Sequence, residues 1–349
     1  MSNFNEIMNS LKDVYVIAEI GANHNGSVEL AKELILKAKK AGAHAVKFQS
    51  WTNKSLVSEP EYRANQQYHD DPKKHFGSLR EMVEKYMLTP DQHFELRDFC
   101  IQNKLDFCST PFSQEEVDLL ESLDVPFYKI ASMDITNHRL LRYVATKGRP
   151  LVLSTGMATL GEIEEALDVI YNISVDSEIY LLHCTSLYPP DLNVVNLRNI
   201  PMLRQAFDLP VGYSDHTIGT AVSIAAIALG SRIIEKHFTL DKDMEGWDHA
   251  VSASPHEMNI ICAAAKDLPC ALGGYKRVLS QSEVDKREKF RRSAVYSTDL
   301  LKGHVITLED ILYKRPGSGI PQNYEKFIVG KTLLVDVKRD ELVAFQDIG

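Results

Sequence analysis

Cysteine is scarce and scattered in this 349-residue chain: Cys100, Cys108, Cys184, Cys262 and Cys270 form no CxxC pair. An odd, dispersed set excludes a disulfide scaffold and a thiolate zinc site, and it points to reduced thiols in the cytoplasm. Long hydrophobic runs are missing as well. The longest uncharged apolar stretch, residues 217–231, is shorter than the roughly 20 residues of a membrane span and contains two glycines. The opening MSNFNEIMNSLKD has no apolar signal core. Positive charge is not in surplus either: 39 Lys and Arg against 48 Asp and Glu leave a net charge of −9, and no basic cluster precedes the short run 286–292. A nucleic-acid-coating role would need a concentrated basic face, so neither nucleic acid nor membrane is expected as a partner. A small anionic substrate stays open, because one or two well-placed lysines suffice to bind it.

What the chain does have is alternation. Short β-branched runs at residues 14–20, 45–49, 105–109, 127–131, 150–154, 178–184, 210–213 and 232–238 are each followed by segments with apolar residues at helical spacing. Eight such units in about 260 residues predict a (β/α)8 TIM barrel rather than an open doubly wound sheet. The strand ends carry Glu19, Lys47 and Gln49, Ser109 and Thr110, Lys129 and Ser132, Ser154 and Thr155, Thr185 and Ser186, Ser214 to His216, and Glu235 with His237. Chemistry in such barrels gathers at the C-terminal ends of the strands, so these residues read as a lining. The expected organisation is a barrel over 1–275, a charged linker over 276–291, and a small β-rich domain over 292–349.

Two features of that lining carry chemistry. Lys47 and Lys129 lie on apolar strands, where an unpaired ammonium costs several kcal/mol. Each is either paired with a core carboxylate such as Glu19 or Glu235, or part of a cradle for phosphate and carboxylate with the neighbouring Ser and Thr. His216 and His237 end consecutive strands and are neighbours in space. They either hold a divalent ion or donate to Asp215 or Glu235 with no metal. Two His ligands make half a shell, which suits a catalytic Lewis acid with open positions better than a structural site. The remaining histidines, His93 among them, read as solvated.

The segments IAEIGANHNG, VKFQ, STPFS, YKIAS, STGM, HCTSLYP, GYSDHT and EKHFTL occur in this order and resemble the sialic acid synthase family, and the tail RRSAVYSTDLLKGHVITLEDILYKRPGSGI resembles its antifreeze-like (SAF) domain. The resemblance implies a nonulosonic acid synthase that condenses phosphoenolpyruvate with an N-acylated hexosamine, such as N-acetylmannosamine or its legionaminate-type counterpart. It places phosphoenolpyruvate on Lys47, Thr110, Lys129, Ser132, Ser154, Ser186 and Ser214, and the sugar on Gln49, Tyr188, Asp248 and Arg315. The metal, Mn²⁺ or else Mg²⁺ or Co²⁺, falls on His216 and His237. Glu19 is expected to stabilise the oxocarbenium-like charge or orient water, with Glu235 nearby. Arg315 is expected to reach the partner's barrel in a domain-swapped homodimer. Ser186 stands where relatives commonly have Asn, and Trp247 where many have Pro, which leaves the acceptor sugar open. Pseudaminate synthesis and a 3-deoxy-ulosonate synthase using a phosphorylated sugar are the alternatives; the latter would draw on Lys54, Arg63, Lys73 and Lys74.

Overall fold

The computed structural model describes residues 2–10, 13–67, 77–274 and 276–349. Lys73 and Lys74 of the expected basic cluster lie outside the described residues. The chain divides into two compact units, the first ending at Gly273 and the second beginning at Gly274.

The first unit opens with a helix, α1 (Asn3–Asn9), and then alternates. The strands are β1 (Tyr15–Glu19), β2 (Ala45–Ser50), β3 (Asp106–Pro111), β4 (Tyr128–Ile130), β5 (Leu151–Ser154), β6 (Ile179–Cys184), β7 (Val211–Asp215) and β8 (Ile233–His237). The helices are α2 (Val28–Ala41), α3 (Glu59–Ala64), α4 (Leu79–Lys85), α5 (Pro90–Gln102), α6 (Gln114–Ser122), α7 (His138–Ala145), α8 (Leu160–Tyr171), α9 (Asn199–Phe207), α10 (Ala221–Ala228) and α11 (Pro255–Leu272). All strands are parallel, in the order β3-β2-β1-β8-β7-β6-β5-β4, and β3 and β4 at the two ends lie against each other. The result is the near-closed eight-stranded barrel that the alternation predicted.

Local chemistry explains the helix boundaries. The Ser27 hydroxyl accepts from the Leu30 N–H at the start of α2, and Gly42, at φ 96°, ends it in the left-handed region. Reciprocal Ser/Thr–Glu/Gln caps begin α4, α5, α8 and α11. The apolar faces of these helices pack on the outward side chains of the strands, such as Val16, Val46 and Ile234. The inward side chains at the N-terminal end of the barrel form a second core, Tyr15, Ala45, Phe127, Val152, Tyr180 and Ile233, closed by Phe4 of α1. Asp106 fastens α1 there by accepting from the Asn3 and Phe4 N–H groups and the Tyr15 hydroxyl. Apart from Asp106 and the tyrosine hydroxyls, that bottom core is apolar, and the polar side chains of the barrel interior gather at the opposite end.

His93 departs from expectation. It is buried, with Nε2 2.8 Å from the Ser50 hydroxyl and Nδ1 2.8 Å from the Thr89 carbonyl. The polar segment around it is the outer face of α5, while His93 lies on the face turned to the barrel.

The second unit begins with a helix, α12 (Gln281–Phe290), within the stretch read as a linker. Every residue of α12 is exposed, so it offers no apolar periodicity to detect. An antiparallel pair follows, β9 (Ser293–Tyr296) with β10 (Ile311–Lys314). Single bridges, Val295 to Leu342 and Leu300 to Val337 among them, complete a β-rich fold around Ala294, Tyr296, Ile306, Ile328, Leu333 and Val343.

Candidate active site

Because side chains alternate along a strand, the residues that face the barrel axis near the C-terminal ends recur at every second position. Lys47 and Gln49 lie on β2 with Trp51 just past its end, Thr110 on β3 with Phe112 just past it, Ser214 on β7 with His216 just past it, and Glu235 and His237 on β8. Together with Lys129, Ser132, Ser154, Ser186, Tyr188 and Asp248 they line one cavity of about 330 Å³. Of the strand-end residues expected in the lining, Glu19, Ser109, Thr155, Thr185 and Asp215 are not part of it. All but Glu19 of the barrel residues assigned to phosphoenolpyruvate, sugar, metal or catalysis are. Arg315 belongs to the second unit, where its guanidinium lies 4.7 Å from the centre of the Phe290 ring.

The floor is a network of buried charges. Lys47 forms an ion pair with Glu19 and donates to the Thr110 hydroxyl at 3.3 Å, and its Nζ is 3.9 Å from Glu235 Oε2. Lys129 Nζ lies 3.3 Å from Glu235 Oε1, which also accepts from the Ser214 hydroxyl at 3.1 Å. Burial alone would raise the Glu235 carboxyl, but Lys129 and Lys47 outweigh it and hold the group at about 2. Burial likewise works against the Lys47 ammonium, and Glu19 and Glu235 overcome it and raise its pKa. The expectation of lysines paired with core carboxylates and that of an anion cradle are therefore compatible: at rest the lysines are held by glutamates, with their ammonium groups in the cavity wall. Behind them, Glu19 Oε1 accepts from the Gly21 N–H at 2.7 Å and from the Gln49 amide at 3.1 Å. Glu19 thus orients Lys47 and Gln49 from outside the cavity.

The β5 and β6 side supplies neutral polar atoms. The Gly156 N–H donates to the Ser132 hydroxyl at 3.1 Å, and Ser132 Oγ is 3.0 Å from Cys184 Sγ. A side chain at Gly156 would meet Ser186 Oγ at 2.4 Å and both Cys184 Sγ and Ser132 Oγ at 2.8 Å, so only glycine fits where these groups converge. The buried Ser154 hydroxyl has no partner among the described residues, an orphan that a ligand oxygen would satisfy.

His216 and His237 converge on the same cavity, their ring centres 5.5 Å apart. Nδ1 of His216 donates to the Thr185 carbonyl at 2.9 Å, which leaves Nε2 with a lone pair. Burial first, and the neighbouring His237 second, lower His216 to about 4, so it is neutral at physiological pH. Asp248 Oδ2 lies 3.6 Å from His237 Nδ1. Among the described residues no group of three His, Cys, Asp or Glu is arranged to enclose a metal. Two converging imidazoles, one already oriented through its second nitrogen, fit a divalent ion that keeps open positions. Tyr188 closes this side, its ring 4.0 Å from that of His216.

Of the aromatic wall, sequence reasoning singled out Trp247 but not Trp51, Phe112 or Leu56. Trp51 lies 6.0 Å from Trp247 and 6.1 Å from Phe112, ring centre to ring centre, and Leu56 adjoins them in the lining. The signal was present: Trp51 continues the alternation Lys47, Gln49, and Phe112 that of Thr110. His249, beside Asp248, is not in the lining; it is buried against the Thr239 hydroxyl at 2.6 Å.

The chain is similar to known proteins over most of its length. Residues 34–277 match the NeuB family and residues 291–349 the SAF domain. The N,N'-diacetyllegionaminic acid synthase of Campylobacter jejuni is 42% identical over 95% of this chain and 99% of its own. Human N-acetylneuraminate-9-phosphate synthase is 33% identical over 94% of this chain and 91% of its own. The crystal structure of the N-acetylneuraminic acid (sialic acid) synthetase of Leptospira borgpetersenii, in complex with citrate, superposes with a TM-score of 0.71 at 31% identity, covering 79% of this chain and 91% of that one.

Proposed function

The chain belongs to the NeuB family, and from that premise we propose that this enzyme of the sialic acid synthase type joins phosphoenolpyruvate to an N-acylated hexosamine, releasing phosphate. The observation that carries the reading is the pair of buried lysines sharing Glu235 beside two converging imidazoles. Lys47 and Lys129 take the phosphate and carboxylate, assisted by Thr110, Ser132, Ser154, Ser186 and Ser214, and hold C3 of the enol towards the sugar aldehyde in near-attack geometry. Gln49, Tyr188 and Asp248 bind the sugar. His216 and His237 would hold a divalent ion, Mn²⁺ in the first instance, and such an ion supplies Lewis-acid polarisation of a carbonyl. As C3 bonds to the aldehyde carbon, positive character develops at C2. Water adds there, and the bridging oxygen departs with the phosphate by C–O cleavage. Glu235, kept ionised between the lysines, is the carboxylate that faces this charge.

For the acceptor, the apolar wall of Trp51, Phe112, Trp247 and Leu56 suits N-acyl methyl groups better than a phosphate. This favours a legionaminate-type 2,4-diacetamido sugar or N-acetylmannosamine over a phosphorylated one. The enzyme acts in the cytoplasm as a homodimer. The test is turnover of the purified protein with phosphoenolpyruvate, Mn²⁺ and a panel of 2-acetamido, 2,4-diacetamido and 6-phosphorylated hexoses, with and without chelator. Phosphate release is expected with the unphosphorylated sugars only, and it should stop in chelator or on changing His216 or His237 to Ala. Full activity in excess chelator removes the metal from the reading, and preference for the phosphorylated sugar reverses the acceptor assignment.

A further inference from the structure

Between the residues that line the cavity from β7 and β8 lie two that do not. Asp215 sits between Ser214 and His216, and Lys236 between Glu235 and His237; by alternation both point to the helix side of the barrel. They are register partners in the β7–β8 ladder. Both are almost wholly buried, and Lys236 Nζ is 2.7 Å from Asp215 Oδ2.

The pair is tied to what surrounds it. Lys236 Nζ also donates to the Thr217 carbonyl at 2.6 Å. Asp215 Oδ1 accepts from the Thr217 N–H at 2.8 Å and the Thr217 hydroxyl at 2.7 Å, and Oδ2 accepts from the Ser223 hydroxyl at 2.5 Å. His216 is thus the middle residue of a turn whose two flanks are bound to one carboxylate and one ammonium. His237 follows directly on the lysine that makes this connection.

We infer that Asp215 and Lys236 are positioning residues, whose buried pair locks β7 to β8 and the turn after β7 so that the His216 and His237 imidazoles are presented at a fixed separation to a divalent ion. A pair of apolar side chains would hold two neighbouring strands together as well as an ion pair does. Apolar side chains have no group that reaches the Thr217 carbonyl or closes the turn around His216. The ion pair supplies both, which is the function of outer contacts that orient metal-binding histidines. This inference rests on the metal reading of the two histidines.

The test is Mn²⁺ binding to the full-length, metal-free protein, followed by the electron paramagnetic resonance signal of free Mn²⁺. Lys236→Met alone would leave a buried carboxylate without its counter-ion, so the pair is changed together, Asp215→Asn with Lys236→Met. The dissociation constant for Mn²⁺ is expected to rise about 10-fold or more, while circular dichroism and melting of the metal-free protein stay those of a folded barrel. At saturating Mn²⁺, KM for phosphoenolpyruvate is expected to hold, because Lys47 and Lys129 are untouched. Ser223→Ala, a small change that removes one bond to the same carboxylate oxygen, is expected to weaken Mn²⁺ about threefold and decides the matter if the pair variant does not fold. Wild-type Mn²⁺ affinity in folded variants overturns the positioning role alone. Absence of Mn²⁺ binding to the wild type, or its persistence in His216→Ala, overturns the metal reading and the positioning role together.

Discussion

Glu19 and Glu235 lie on neighbouring strands, Glu19 in register with His237 and Glu235 with Ile17, and they stand in different relations to the cavity. Glu235 lies in the wall between two ammonium groups, whereas Glu19 is covered by Lys47 and Gln49, both of which it orients. Glu19→Gln is therefore expected to act through Lys47: KM for phosphoenolpyruvate rises about tenfold or more, with a smaller change in kcat. Steady-state kinetics with phosphoenolpyruvate varied at saturating sugar decide this, and a loss confined to kcat would return Glu19 to a direct role at the reacting carbons. At this scale the sequence was informative wherever a polar residue interrupted an apolar strand, because burying charge is costly enough to signal purpose. For the two buried carboxylates the resemblance pointed to Glu19, whereas the cavity lining holds Glu235, since exposure to the cavity depends on side-chain direction beyond the strand end. Trp51 and Phe112 escaped attention for the opposite reason: an aromatic residue at a strand end looks like core.

At the scale of elements, the barrel strands and most helices were legible because apolar periodicity and capping residues agree, as at Pro90–Gln102 and Leu160–Tyr171. Three helices were not, α1, α3 and α12. In α12 no residue is buried, in α1 only Phe4 and Met8 are, and in α3 only Tyr62 is, so none shows an amphipathic stripe. For α1 the tertiary setting does what periodicity does not, with Phe4 packed 4.4 Å from Phe127, ring centre to ring centre, in the barrel bottom. Phe4→Ala is expected to cost about 3–5 kcal/mol, read from denaturant unfolding. Because Phe4 is remote from the strand ends that bear the site, kcat of the folded fraction should change little. A change below about 1 kcal/mol would mean that α1 is an ornament on an already closed barrel.

For the molecule as a whole, the second unit has a core of its own, and its position in the chain places Arg315 far in sequence from every cavity residue. The proposed homodimer assigns Arg315 to the partner's sugar site. Arg315→Ala is then expected to raise KM for the sugar and leave that for phosphoenolpyruvate near wild type. Mixing it with Lys129→Ala should restore part of the activity, since a heterodimer would contain one intact site. No recovery after demonstrated subunit exchange would place Arg315 in its own chain's site or outside both. Oligomeric state from light scattering supplies the independent check.

The cavity floor has one more property, which concerns its charge balance. Two lysines face two glutamates, and His216 is neutral, so the resting floor has no excess cation to offer. A multiply charged anion that enters must contend with carboxylates already in possession of both ammonium groups, and a divalent ion at the histidines would supply the missing positive charge. Anion and cation then form a linked pair of ligands. Each should tighten the other's binding by the same factor, as thermodynamic reciprocity requires, and titration calorimetry of phosphoenolpyruvate with and without Mn²⁺ measures that factor. Inorganic phosphate or sulfate without Mn²⁺ is then expected to bind weakly, because it must part the lysines from their glutamates, and the same calorimetry with phosphate alone checks it.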